Sequence, residues 1–79
     1  MKVVFDTNIF ISAFVIPGGK AEKAFLYGIR GDFTLFTSIP ILTETAQKLE
    51  VKFDWNKEKI IKIVELISRV AKVVIKWKV

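Results

Sequence analysis

Three apolar residues in a row, Val3-Val4-Phe5, lead directly into the polar cluster Asp6-Thr7-Asn8. A short continuous apolar run that ends this way predicts a strand, Val3 to Asp6, buried on both faces of a parallel sheet. From Ile9 to Ile16 the chain is apolar nearly all round, and two readings stay open. One is a hairpin turning at Asp6-Thr7-Asn8; the other is a buried helix, toward which Ser12 and Ala13 tilt the balance. Pro17-Gly18-Gly19 predicts a loop. Beyond it Ala21, Ala24, Phe25, Gly28 and Ile29 share one face at helical spacing, and Gly31 is placed to stop that helix.

Phe33 to Thr37 reads as a second strand. Ser38 is a good N-cap, because its hydroxyl can accept from an orphan amide of the next turn, and Pro40 falls where its missing N–H costs little. A helix from Ile39 to about Glu50 follows. Asn56 opens another, with Trp55 and Ile60 at the two positions of a hydrophobic staple. Its apolar stripe is Ile60, Ile63, Val64, Ile67, Val70 and Ala71, with Lys62, Glu65, Arg69 and Lys72 opposite, and Glu58–Lys62 and Glu65–Arg69 are spaced for i,i+4 pairing. Val73 to Val79 closes the chain as a strand in which Ile75, Trp77 and Val79 alternate with Lys76 and Lys78. The order βαα/βαα/β, over a single domain of residues 1–79, predicts an α/β fold with a parallel sheet flanked by helices.

Composition narrows the chemistry. A hydrophobic fraction of 52% beside 27% charged residues requires the two kinds to be segregated onto faces, which argues for a folded chain over a disordered one. The net charge of +5 suits a polyanionic partner without naming one, and much of that charge lies in the paired face of the last helix, where a solvated face explains it as well. Neither cysteine nor histidine occurs, so disulfides, thiolate sites and imidazole catalysis are excluded. Any metal chemistry must use carboxylates, whose oxygens select hard ions such as Mg²⁺ or Mn²⁺. No apolar run approaches the roughly 18 residues that cross a bilayer, and Asp6 interrupts the N-terminal stretch, which together predict a cytoplasmic protein without a membrane partner.

Ligands of parallel α/β folds bind beyond the carboxyl ends of the strands, where Asp6 lies. The plain alternative is that Asp6 caps a helix. Glu44 sits roughly 130° from the centre of the face made by Ile41, Leu42, Ala46 and Leu49, so its position alone describes a surface glutamate. Ser12 and Ser38 read equally well as a small packing residue and a cap.

The segment from Val3 to Ala13, with Asp6-Thr7-Asn8-Ile9-Phe10-Ile11-Ser12 at its heart, resembles the first motif of the PIN-domain nucleases. In that family an aspartate ends the first strand and is followed by Thr-Asn, an apolar pair and a small polar residue. Pro17-Gly18-Gly19 continues the likeness. Thr37-Ser38-Ile39-Pro40-Ile41-Leu42-Thr43-Glu44 resembles the second motif, where a helix bears the second acid, and Lys52-Phe53-Asp54-Trp55-Asn56 resembles the loop before the fourth helix.

The resemblance implies a PIN-like α/β fold that breaks off after its third strand, and a metal-dependent ribonuclease of the toxin kind. It implies Asp6 and Glu44 as catalytic, metal-holding acids, with Asn8, Ser12 and Ser38 as supporting polar groups and Mg²⁺ or Mn²⁺ as a weakly held cofactor. The family carries two further acids, in an Asp-rich segment and a later Gly-Asp segment, that these residues do not contain. The expectation is therefore little or no activity alone. The partners implied are RNA, an antitoxin or a complementing C-terminal half, and a homodimer or higher oligomer built by pairing at the Val3–Asp6 edge or by exchanging the C-terminal strand. A non-catalytic interaction module is the alternative, and a basic RNA-binding module without catalysis is a third, which lacks the aromatic-basic pattern of RNA-stacking sheets.

Overall fold

The computed structural model describes residues 1–75. It contains β1 (Lys2–Val4), α1 (Thr7–Val15), α2 (Lys20–Arg30), β2 (Thr34–Ser38), α3 (Ile39–Phe53), α4 (Lys57–Val70) and β3 (Lys72–Val74). The expected α/β order is present, and Ile9–Ile16 belongs to a helix. What settles that segment is Asp6: its extended backbone and its Oδ1, which accepts from the Ile9 N–H at 3.0 Å, start a helix where a hairpin would need a turn. Ser38 and Asn56 cap α3 and α4 in the same manner, their side-chain oxygens accepting from the amides of Ile41 and Lys59. Gly31, at φ 88°, ends α2, its N–H donating to the Gly28 carbonyl and that of Asp32 to the Tyr27 carbonyl.

The strands are parallel in the order β1-β2-β3, with Lys2 opposite Thr34, Val4 opposite Phe36, Phe36 opposite Lys72 and Ser38 opposite Val74. Both crossovers step the same way across the sheet, and right-handed connections then lay both helix pairs on one face. The packing agrees: α2 rests on α1, α1 on α3 and α3 on α4, a single row of helices. The least extent of the Cα trace is 19 Å, room for one sheet and one helix layer about 10 Å apart.

Strand alternation separates the two faces. Val3, Phe5, Leu35 and Thr37 point to the helices, where Phe5, Leu35, Phe10, Ala13, Phe25, Ile41, Leu42, Ile67 and Ala71 form the core. Phe5, Phe10, Phe25 and Phe14 meet edge to face along it, centroids 5.2–6.3 Å apart. Lys2, Val4, Thr34, Phe36, Lys72 and Val74 point the other way, where among the described residues no helix lies. Among the described residues the first strand, expected to be buried on both faces, is therefore covered on one: Val4 and Phe36 are half-buried and stand outside the core, with the Lys2 ammonium 5.9 Å from the Phe36 ring centre.

Other details depart from expectation. β1 ends at Val4, because Asp6 is already committed to the cap. Ile29 is 45% exposed: α2 packs mainly against α1 and sets Gly28 close to Phe33 and Leu35, which leaves Ile29 at the margin of the buried stripe. Of the two i,i+4 pairs on α4, Glu65–Arg69 closes at 4.0 Å and Glu58–Lys62 does not. The final strand, expected over Val73–Val79, runs from Lys72 to Val74; Ile75 is already out of it, and Lys76, Trp77, Lys78 and Val79 lie outside the described residues. No helix among the described residues is long and apolar enough to cross a membrane.

Candidate functional site

At the carboxyl end of the sheet, the turn from β1 into α1 faces the first three turns of α3. Between them lies a cleft of about 130 Å³ lined by Asp6, Thr7, Asn8, Ile41, Glu44 and Lys48. Parallel strands put the two loops on the same side, and the packing of α1 against α3 brings them together. Three of the five sequence-derived candidates, Asp6, Asn8 and Glu44, therefore share one concavity.

The first turn of α1 fixes both acids. Asp6 is half-buried and spends Oδ1 on the Ile9 amide. Thr7, 6% exposed, donates its hydroxyl to Glu44 Oε1 at 2.8 Å, a bond across 37 residues of sequence. Each carboxylate is thus anchored through one oxygen, and among the described residues the other, Asp6 Oδ2 or Glu44 Oε2, has no protein partner. The Asn8 side chain is exposed beside them.

Ser12 and Ser38 do not line the cleft. Ser38 is fully buried, and its hydroxyl accepts from the Ile41 amide at 3.3 Å as the α3 cap. Ser12 lies one turn further along α1 than Asn8, and only the first turn of that helix borders the cleft. Ser38 follows the cap reading of the sequence. Two lining residues were not singled out there. Lys48 stands one turn beyond Glu44 on α3, a spacing legible in hindsight. Thr7 lies inside the Asp6-Thr7-Asn8 motif, and a hydroxyl aimed at a residue 37 positions away leaves no periodic trace in the sequence.

A family model of the PIN domain matches residues 2–78, nearly the whole chain. The chain belongs to the PIN domain family. No curated protein and no solved structure matches it. The family assignment, the α/β fold and the two motifs at the cleft are mutually consistent, so the molecule is a PIN nuclease-like domain.

PIN domains generally use divalent metals. The donor set of this PIN domain fits such an ion: two carboxylates, each with an unbonded oxygen, in a polar cleft with room for water, suit a hard cation held through few direct bonds. Lys48 works against dense positive charge in the same place and favours a phosphate beside it. Among the described residues no cluster of three or more acidic, histidine or cysteine side chains is assembled, so the two acids are all that this part of the chain offers.

Proposed function

We propose that this PIN domain contributes Asp6 and Glu44 to a Mg²⁺ or Mn²⁺ site of a ribonuclease of the toxin kind. The observation that carries the reading is the cleft at the carboxyl end of the sheet, where the Thr7–Glu44 bond joins the two motif regions. A bound divalent ion supplies a water of lowered pKa and positive charge near the phosphodiester under attack. Asp6 and Glu44 would hold it through the oxygens that α1 leaves unbonded. The Asn8 amide, exposed at the rim, can donate to a phosphate oxygen, and the Lys48 ammonium can neutralise one as a point charge. With two carboxylates the site holds its ion in the millimolar range or weaker, and the chain by itself cleaves RNA little or not at all. The remaining acids of the family's site are not among these residues; a complementing C-terminal segment or a further copy would supply them, and an antitoxin is the regulatory partner that the toxin kind entails.

The test is paramagnetic broadening by Mn²⁺ in amide spectra of the whole chain, with single-stranded RNA cleavage assayed in parallel. Broadening should centre on residues 6–8 and 44–48 and vanish in both Asp6→Asn and Glu44→Gln, while cleavage stays near background. Broadening centred elsewhere, or unchanged by Asp6→Asn, overturns the metal site; vigorous cleavage lost in Asp6→Asn overturns the claim of weak activity.

A second reading, an interaction module without catalysis, is favoured by a separate observation. Among the described residues β1 is an edge strand, and on the uncovered face Val4 lies opposite Phe36, with Lys72 in register beyond it and Val74 diagonal to it. An open edge next to an uncovered apolar sheet face is a place for another chain to add. We place the homodimer or higher-oligomer contact on this side of the molecule.

A further inference from the structure

The Thr7 hydroxyl has a competitor. Glu44 and Lys48 are spaced i,i+4 on α3 with the glutamate toward the N-terminus, the orientation in which a helix favours an ion pair, and both line the cleft. Yet Glu44 Oε1 is held at 2.8 Å by Thr7 from the neighbouring helix, and the Glu44–Lys48 pair is not closed. Thr7 is well placed to win. It is 6% exposed, on the first turn of α1, and its backbone is fixed by the Asp6 cap immediately before it. Its donor reaches Glu44 without bringing a charge into the cleft, whereas a lysine at the same carboxylate would cancel the charge that attracts a cation.

We infer that Thr7 is a positioning residue, whose hydroxyl holds Glu44 over the cleft and away from Lys48, so that the glutamate stays available to a divalent cation. The inference rests on the metal reading given above, but its structural half, the selection of one Glu44 arrangement, stands apart from any metal. Removing the hydroxyl while keeping the shape, Thr7→Val, frees Glu44 to pair along its own helix. Outer partners of metal ligands typically govern affinity by about 10- to 100-fold, and a loss in that range is expected here.

The experiment is a double-mutant cycle on the full chain, read by the slope of Mn²⁺ broadening at the amides of residues 6–8 and by the Glu44 side-chain carboxyl ¹³C signal without metal. Thr7→Val should lower the slope by about tenfold or more and shift the Glu44 signal, while Thr7→Ser leaves both close to wild type. Lys48→Ala should raise the slope modestly. The combined Thr7→Val/Lys48→Ala variant should recover most of the loss, a strong departure from additivity. A Thr7→Val protein that matches wild type in both readouts overturns the proposal, and so do strictly additive effects of the two substitutions. If wild type shows no broadening at all, the metal reading fails, and the Glu44 signal alone decides: a shift in Thr7→Val that Thr7→Ser does not share upholds the positioning role, and no shift ends it. A matched thermal midpoint for all variants separates these effects from loss of fold.

Discussion

Two threonines of this domain are fully buried and differ in one respect. Thr45 donates to the Ile41 carbonyl at 2.7 Å, whereas Thr37 Oγ1 has no hydrogen-bond partner. Thr37 sits on the central strand with its side chain turned to the helices. A hydroxyl buried without a partner costs about 1–3 kcal/mol in proteins. Valine has nearly the same shape and suits a strand better, so Thr37→Val should stabilise the domain by about 1–2 kcal/mol, the lower part of that range. For a domain this small, each kcal/mol moves the thermal midpoint by about 4–8 °C. At Thr45 the same substitution gives up a bond worth about 0.5–1.5 kcal/mol and orphans nothing, because the Ile41 carbonyl keeps its helical donor. The added methyl returns up to about 0.8 kcal/mol, which leaves Thr45→Val between neutral and mildly destabilising. Urea unfolding followed by circular dichroism at one protein concentration measures both, and the slope with denaturant should not change. The reasoning is refuted if Thr37→Val destabilises, or if the two substitutions give the same gain.

Sedimentation at micromolar concentration should find a dimer or larger species, and a well-folded monomer with β1 solvated would sink the assembly proposed for that side. On α4, Ile67 is fully buried and Ile61 is 55% exposed; Ile67→Ala should cost about 2–5 kcal/mol and Ile61→Ala under about 0.5 kcal/mol, with equal losses in chemical denaturation counting against the observed helix face.

Much of this molecule was legible because its punctuation is chemical. Asp6, Ser38 and Asn56 each carry an oxygen that accepts from an amide three residues on, and each starts a helix where capping chemistry places it. The α4 stripe from Ile60 to Ala71 turns inward as its spacing requires. Two things were not legible, for different reasons. The buried arc of α3 includes Thr45, fully enclosed, while Ala46 is only half-buried. A wheel drawn through apolar residues alone therefore aims α3 wrongly and leaves Glu44 on the surface, when it faces the turn that begins α1. Val4 and Phe36 mislead in the opposite sense: their composition is that of core, and only the direction of the two crossovers shows which sheet face the helices cover. Asp6 meets its cap reading through one carboxylate oxygen, and among the described residues the other has no protein partner, so the cap does not use up the side chain.

The one-way strand order also bears on how the chain comes together as it leaves the ribosome. Each strand pairs with the one before it, Lys2 with Thr34 and then Phe36 with Lys72, across separations of a little over thirty residues. No strand has to be inserted between two that are already joined. A nascent chain can therefore seat α1 and α2 on the first ladder, bury Phe10 and Phe25, and add α3, α4 and β3 to a finished edge, in the N-to-C order of synthesis. Growth then proceeds from the β2 side, and among the described residues no later strand joins β1 on its other side.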